Sequence, residues 1–161
     1  MTVRKQDQQK RRRAEIECVL ADILSNPHVE EMKRYVQHGS VSTYSHCERV
    51  AEASYRIDRT LHLHSNLDTL LKGAMLHDFF LYDWHTGDGS HDLHGFTHAE
   101  KACANAKRYF DINRDIYRVI FCHMWPLNLS RIPKSREAWI VCIADKYVSL
   151  LETVFGRSSG R

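Results

Sequence analysis

A chain of 161 residues, 43% hydrophobic and 27% charged, fits a single domain around one core. Its net charge of +3 selects no polyanionic partner. No apolar run approaches the roughly 20 residues of a membrane span, and the polar, basic start at Met1 to Arg13 lacks the apolar segment of a secretory signal. Eleven histidines are the unusual feature, and they point to a metal or acid–base site.

The five cysteines (Cys18, Cys47, Cys103, Cys122, Cys142) make no CxxC pair and fall mostly in apolar helical pattern. Free thiols of that kind fit a reducing cytoplasm, which is the expected location.

Taken in chain order, the pattern is helical almost throughout, with few glycines and prolines and no sustained alternation. The expected fold class is therefore all-α, a bundle of six or seven helices. A first helix is predicted from about Lys5 to Leu24. Asn26-Pro27 stops it and opens a second, short helix to about Gln37. After a break at His38-Gly39-Ser40, Ser42 or Thr43 caps a third helix with His46, Val50, Ala53, Ser54 and Ile57 on one face. A fourth, capped by Ser65 or Asn66, runs through Leu70-Leu71-Lys72-Gly73-Ala74-Met75-Leu76 to His77-Asp78.

Tyr82 to Phe96 is the longest irregular stretch and holds three glycines, three aspartates and three histidines. Long polar loops within compact helical domains are often functional. Thr97 with Glu100 makes a capping-box pattern opening a helix to about Phe110. Another helix covers Arg114 to about His123, a loop runs from Trp125 to Pro133, and Ser135 opens a last helix. The expected organisation is N-terminal helices at 1–38, a functional domain at 39–154 and a flexible tail at 155–161.

The chemistry-bearing residues lie at helix ends or on inner helix faces. His77-Asp78 places an imidazole and a carboxylate, two ligands for a hard or borderline metal, at the end of an apolar helix. Asp145 sits inside Ala138-Trp139-Ile140-Val141-Cys142-Ile143-Ala144-Asp145-Lys146-Tyr147-Val148. A carboxylate buried there must be paired with a cationic side chain or bound to a metal. His46, His98 and His123 complete an ordered set of four histidines and two aspartates. The run Lys10-Arg11-Arg12-Arg13 has no interleaved aromatics and reads as a solvated helix start, not a nucleic-acid contact.

That order resembles the HD-domain superfamily of metal-dependent phosphohydrolases. The residues carrying the resemblance are His46 in His46-Cys47-Glu48-Arg49-Val50-Ala51, His77-Asp78, and Asp145 in Ala144-Asp145-Lys146, spanning about Gly39 to Glu152. His98 and His123 are similar to the additional histidines of its six-ligand, two-metal branch. His77-Asp78-Phe79-Phe80-Leu81-Tyr82-Asp83-Trp84 and His123-Met124-Trp125-Pro126 also resemble small bacterial HD proteins of unassigned substrate.

The resemblance implies that residues 39–154 form an HD metal-binding domain. His46, His77, Asp78 and Asp145 would hold one divalent transition metal ion (Fe, Mn, Zn, Ni or Co). His98 and His123 would serve a second, with Asp78 bridging the two. It implies hydrolysis of a nucleotide or other small phosphorylated metabolite by a metal-activated water. Asp78, Asp83, Arg49 and Lys146 are the candidate catalytic residues, with Arg131 and Lys134 as further cations for phosphate.

One position departs from the pattern. Many HD phosphohydrolases carry a charged residue three positions after the HD aspartate, and here it is Leu81; Asp83 or His85 would have to take its role. Two alternatives share the ligand set: a di-iron oxygenase, and a non-catalytic module that binds metal or nucleotide.

Overall fold

The computed structural model describes residues 3–38, 40–82 and 94–156. Among the described residues, eight α-helices carry the fold: α1 (Val3–Val19), α2 (Ala21–Leu24), α3 (Pro27–Glu31), α4 (Thr43–Thr60), α5 (Leu67–Leu76), α6 (His94–Tyr109), α7 (Arg114–Cys122) and α8 (Arg136–Gly156). A 3-10 turn (Met32–Arg34) follows α3 and leads into a small antiparallel hairpin, β1 (Val36–His38) and β2 (Val41–Ser42). The all-α expectation holds. Among the described residues, no helix is long and apolar enough to cross a membrane.

Capping chemistry sets four of the described helix starts. Ser42 accepts from the Ser45 amide at the head of α4, Asn66 from the Thr69 amide at α5, and Asn113 from two amides at α7. Pro27 stands at the first position of α3 behind an Asn26 cap. The core forms where α4, α5, α7 and α8 pack on one another, around Val50, Leu70, Leu71, Met75, Ile120 and Val141. α5 is buried on nearly all sides. Gly73 lets it approach α7: a Cβ there would lie 2.6 Å from Val119 Cγ1.

Three sequence expectations need correction. The first predicted helix is two, because Leu20 leaves helical geometry (φ −92°, ψ 5°) between α1 and α2. The second does not reach Gln37: the chain turns extended at Tyr35 and pairs Val36 with Ser42. This hairpin is too short for alternation to reveal it. It is fastened by Thr43, whose N–H and hydroxyl both donate to Tyr35 O. Finally, α6 opens at His94, one turn before the Thr97–Glu100 pattern.

Candidate metal centre

Five helices, α4 to α8, bring the candidate ligands together. His46 lies in the second turn of α4, one turn before the buried Val50. His77 closes α5, and Asp78 follows where the helix has ended. Asn105 of α6 pins that turn by donating to Phe79 O at 3.0 Å and Phe80 O at 3.1 Å. His98 comes from α6, His123 from the end of α7, and Asp145 from the middle of α8. All six are buried; the most open is Asp145 at 8%. Their ligand atoms fall into overlapping triads: His46, His77 and Asp78; His77, His123 and Asp145; Asp78, His98 and His123.

The hydrogen bonds fix how three of these rings present themselves. His77 Nδ1–H donates to Ala74 O and His123 Nδ1–H to Ile120 O, each at 2.7 Å. His46 Nδ1–H donates to Glu152 Oε2 at 2.8 Å. A neutral imidazole that donates through Nδ1 offers a lone pair at Nε2, the arrangement in which metal-binding histidines are held.

In that neutral form, Nε2 of His46, His77 and His123 faces carboxylate oxygens, which are also acceptors. His46 Nε2 lies 3.2 Å from Asp145 Oδ1 and 3.8 Å from Asp78 Oδ2. His77 Nε2 lies 3.3 Å from Asp78 Oδ2 and 3.6 Å from Asp145 Oδ1. On the other side of Asp78, Oδ1 faces His98 Nε2 at 3.2 Å and His123 Nε2 at 3.4 Å, and those two nitrogens are 2.9 Å apart.

Acceptors so arranged repel unless a cation stands between them. His77 Nε2 and Asp78 Oδ1 are buried with no hydrogen-bond partner, an expensive condition in a dry interior. A proton or a metal ion relieves it.

The electrostatics agree. Burial alone would lower the His46 imidazole, but Asp145 and Glu152 outweigh it and push the pKa up to about 10. His77 is likewise raised against its burial, chiefly by the Asp78 charge. Burial would raise the carboxyls, yet the histidines hold both Asp78 and Asp145 well below the usual carboxylate range. His123 is lowered by burial. Four imidazoles and two ionised carboxylates, with no thiolate among the grouped atoms, suit a divalent transition metal of borderline hardness.

The candidate catalytic residues fall at different distances from this centre. Arg49 does not reach the ligand cluster; its guanidinium donates to Glu152 Oε1 at 3.1 Å, and Glu152 in turn holds His46. Lys146 donates to His123 O at 2.8 Å, with its ammonium 3.6 Å from Asp145 Oδ2. Arg131 pairs with Glu100 and lies over the Phe121 ring, and Lys134 lines a surface depression with it. Asp83 and His85 lie outside the described residues. Leu81 packs against the core with its backbone in the left-handed region, φ 55°.

Two residues at the site were not anticipated from sequence. Glu152 follows Asp145 by seven residues, two turns along the same face, and that spacing was a usable signal. Gln37 had none. It lies on β1 and donates its amide to Asp78 Oδ2 at 2.6 Å, while Thr43 Oγ1 donates to its carbonyl at 3.4 Å.

Comparison with curated proteins and with solved structures gave no significant match. The HD domain family model matches residues 43–150, about two thirds of the chain, and the match takes in five buried residues already described: His46, His77, Asp78, His98 and His123, together with Asp145 near its end. This chain belongs to the HD domain family.

Proposed function

We propose that this protein is a metal-dependent phosphohydrolase with two metal ions, acting on a nucleotide or another small phosphorylated metabolite. The supporting observation is the division of the Asp78 carboxylate: Oδ2 faces His46 and His77, Oδ1 faces His98 and His123. One carboxylate shared between two imidazole pairs is a ligand set for neighbouring cations. His46, His77, Asp78 and Asp145 would hold one ion, and Asp78, His98 and His123 the other. Bound metal would supply a water of lowered pKa and positive charge for a phosphoryl group.

The chain's own residues supply positioning. Glu152 and the carbonyls of Ala74 and Ile120 fix three imidazole tautomers. Lys146, partly exposed beside Asp145, has N–H donors left after its bond to His123 O and is placed to take a phosphate oxygen. Arg49 acts through Glu152, a positioning role. Leu76 and Phe79, which flank His77-Asp78 in the chain, are fully buried, so this turn is closed to bulk water. Leu81 contributes an apolar contact where many family members place a charge, so acid assistance would have to come from the segment that follows it.

The test is a panel of nucleotides and phosphorylated metabolites assayed with metal-reconstituted protein. Release of phosphate or nucleotide that is lost on chelation and in Asp78→Asn supports the reading. No turnover on the panel with any of the five metals, together with oxygen uptake by the iron-loaded protein, contradicts it.

A further inference from the structure

α8 has two faces and the fold covers one. Ile140, Val141, Ala144 and Val148 point into the core. On the other side, six of the helix's exposed positions are apolar: Trp139, Ile143, Tyr147, Leu150, Leu151 and Val154. Exposure reaches 57% at Tyr147 and 62% at Leu150. A helix apolar on both faces is normally covered on both.

We propose that the outer face of α8 packs against the same face of a second copy of this chain, forming a two-fold homodimer. Three observations favour a copy of the chain as the occupant. First, Ile143, Tyr147, Leu150 and Val154 are spaced four, three and four residues apart, the alternation that keeps an apolar seam facing a partner helix. The seam is uninterrupted by charge. Lys146, beside it, is turned toward the site by its bond to His123 O.

Second, the surface is shaped to receive itself. Tyr147, an exposed aromatic ring, borders two depressions. One, of about 560 Å3, combines Val41, Ala53 and Leu151 with the charged Arg49, Glu52, Arg56 and Glu152; the other, of about 340 Å3, combines Ala53, Ile57 and Leu61 with Arg56. An isologous contact needs a ridge and a hollow on the same patch, so that each copy fills the other.

Third, the size is right. The six side chains present on the order of 600 Å2, the upper end for the largest apolar patch on a typical monomer. Leu61, 62% exposed across the smaller depression, extends it. Together they approach the roughly 800 Å2 per partner of a standard stable interface. The opposite face of the same helix carries Asp145 and Glu152, so pairing would brace the element that presents them.

The test is the solution mass of the full chain by light scattering and sedimentation across micromolar concentrations. Twice 18.8 kDa is expected. The double variant Ile143→Glu/Leu150→Glu should fall to the monomer mass with wild-type helicity, and Leu150→Met should stay dimeric. A wild-type monomer at every concentration overturns the proposal, as does a folded double variant that remains dimeric.

If the double variant fails to fold, Tyr147→Cys in a Cys18→Ser background decides the matter. Oxidation to a disulfide-linked dimer supports the interface, and absence of a cross-link overturns it. Binding of wild-type monomer to anionic vesicles or to another protein instead would also overturn it.

Discussion

The Gln37 amide donates to Asp78 Oδ2 at 2.6 Å, while Asp78 Oδ1, on the same carboxylate, is buried without a hydrogen-bond donor. A residue of the small hairpin thus sets the rotation of the carboxylate at the centre of the site. One oxygen is held by Gln37 on the His46/His77 side, and the other is left for whatever cation His98 and His123 hold.

Replacing Gln37 should therefore weaken metal binding without unfolding the chain. Orienting partners of metal ligands typically contribute 10–100-fold in affinity. Gln37→Leu is expected to lose roughly that much, and Gln37→Asn less, since it keeps the amide on a shorter stem. Competition with a calibrated chelator measures it. Unchanged affinity in Gln37→Leu would remove Gln37 from the site.

Glu152 should behave as the partner that fixes His46. It is held below its ordinary carboxyl range against its burial, by His46 and then Arg49. Glu152→Gln keeps an acceptor for His46 Nδ1–H and should cost little metal affinity, whereas Glu152→Ala removes the acceptor and should cost roughly 10–100-fold. Arg49→Ala should resemble the milder variant, because its guanidinium acts on the Glu152 carboxylate. Titration with a divalent ion ranks the three. Equal loss in Glu152→Gln and Glu152→Ala would show that charge, not the fixed tautomer, is what His46 requires.

Gly73→Ala should destabilise the fold although alanine is the better helix former. The added methyl would meet Val119 Cγ1 at 2.6 Å and Cβ at 2.9 Å across the α5–α7 contact. Overpacking of this kind costs about 1–3 kcal/mol, more than the ~1 kcal/mol gained in helix propensity. Urea denaturation should show a lower midpoint, and a higher one would mean that α7 can move away freely.

Thiol reactivity should separate Cys18 from the rest. Cys18 is exposed and the other four are buried. Burial pushes the Cys103 thiol up to about 12 and Cys122 up to about 11. Only the thiolate reacts, so a raised pKa means almost no reactive form at pH 8, with reactivity gained only as pH rises toward those values. One thiol should react fast with an aromatic disulfide reagent at pH 8 and all five after denaturation. Several fast thiols in the native protein would contradict the packing around α6 and α7.

The residues differ in how legible they were from sequence. His46 could be placed inward because Val50 lies one turn on, and His77-Asp78 because an apolar helix ends there. Asp145 was open between an ion pair and a metal ligand. The structure puts the nearest described ammonium, that of Lys146, at 3.6 Å from Oδ2, while Oδ1 faces His46 and His77.

Gln37 was hidden because its strand is three residues long and exists through Thr43 and Tyr35, contacts that local pattern does not encode. The early start of α6 was masked by a capping pattern one turn inside it. The partner of Arg49, a candidate cation in the sequence, could not be read there, because Glu152 lies on another helix 103 residues away.

Removal of metal should lower thermal stability. A ligand bound only to the folded state at 100 times its dissociation constant adds about 2.7 kcal/mol. The Nε2 lone pairs and carboxylates here must take up protons or face one another once the metal is gone. Scanning calorimetry before and after chelation should show the fall, with recovery on adding back a divalent ion. Identical transitions would count against an intrinsic metal.

Elemental analysis of reconstituted protein tests whether Asp78 joins two metal sites. Two ions per chain are expected in the wild type, one in His98→Ala/His123→Ala and none in Asp78→Ala, with folding checked by circular dichroism. Two ions retained in a folded Asp78→Ala, or none bound by the wild type under any of the five metals, would contradict it.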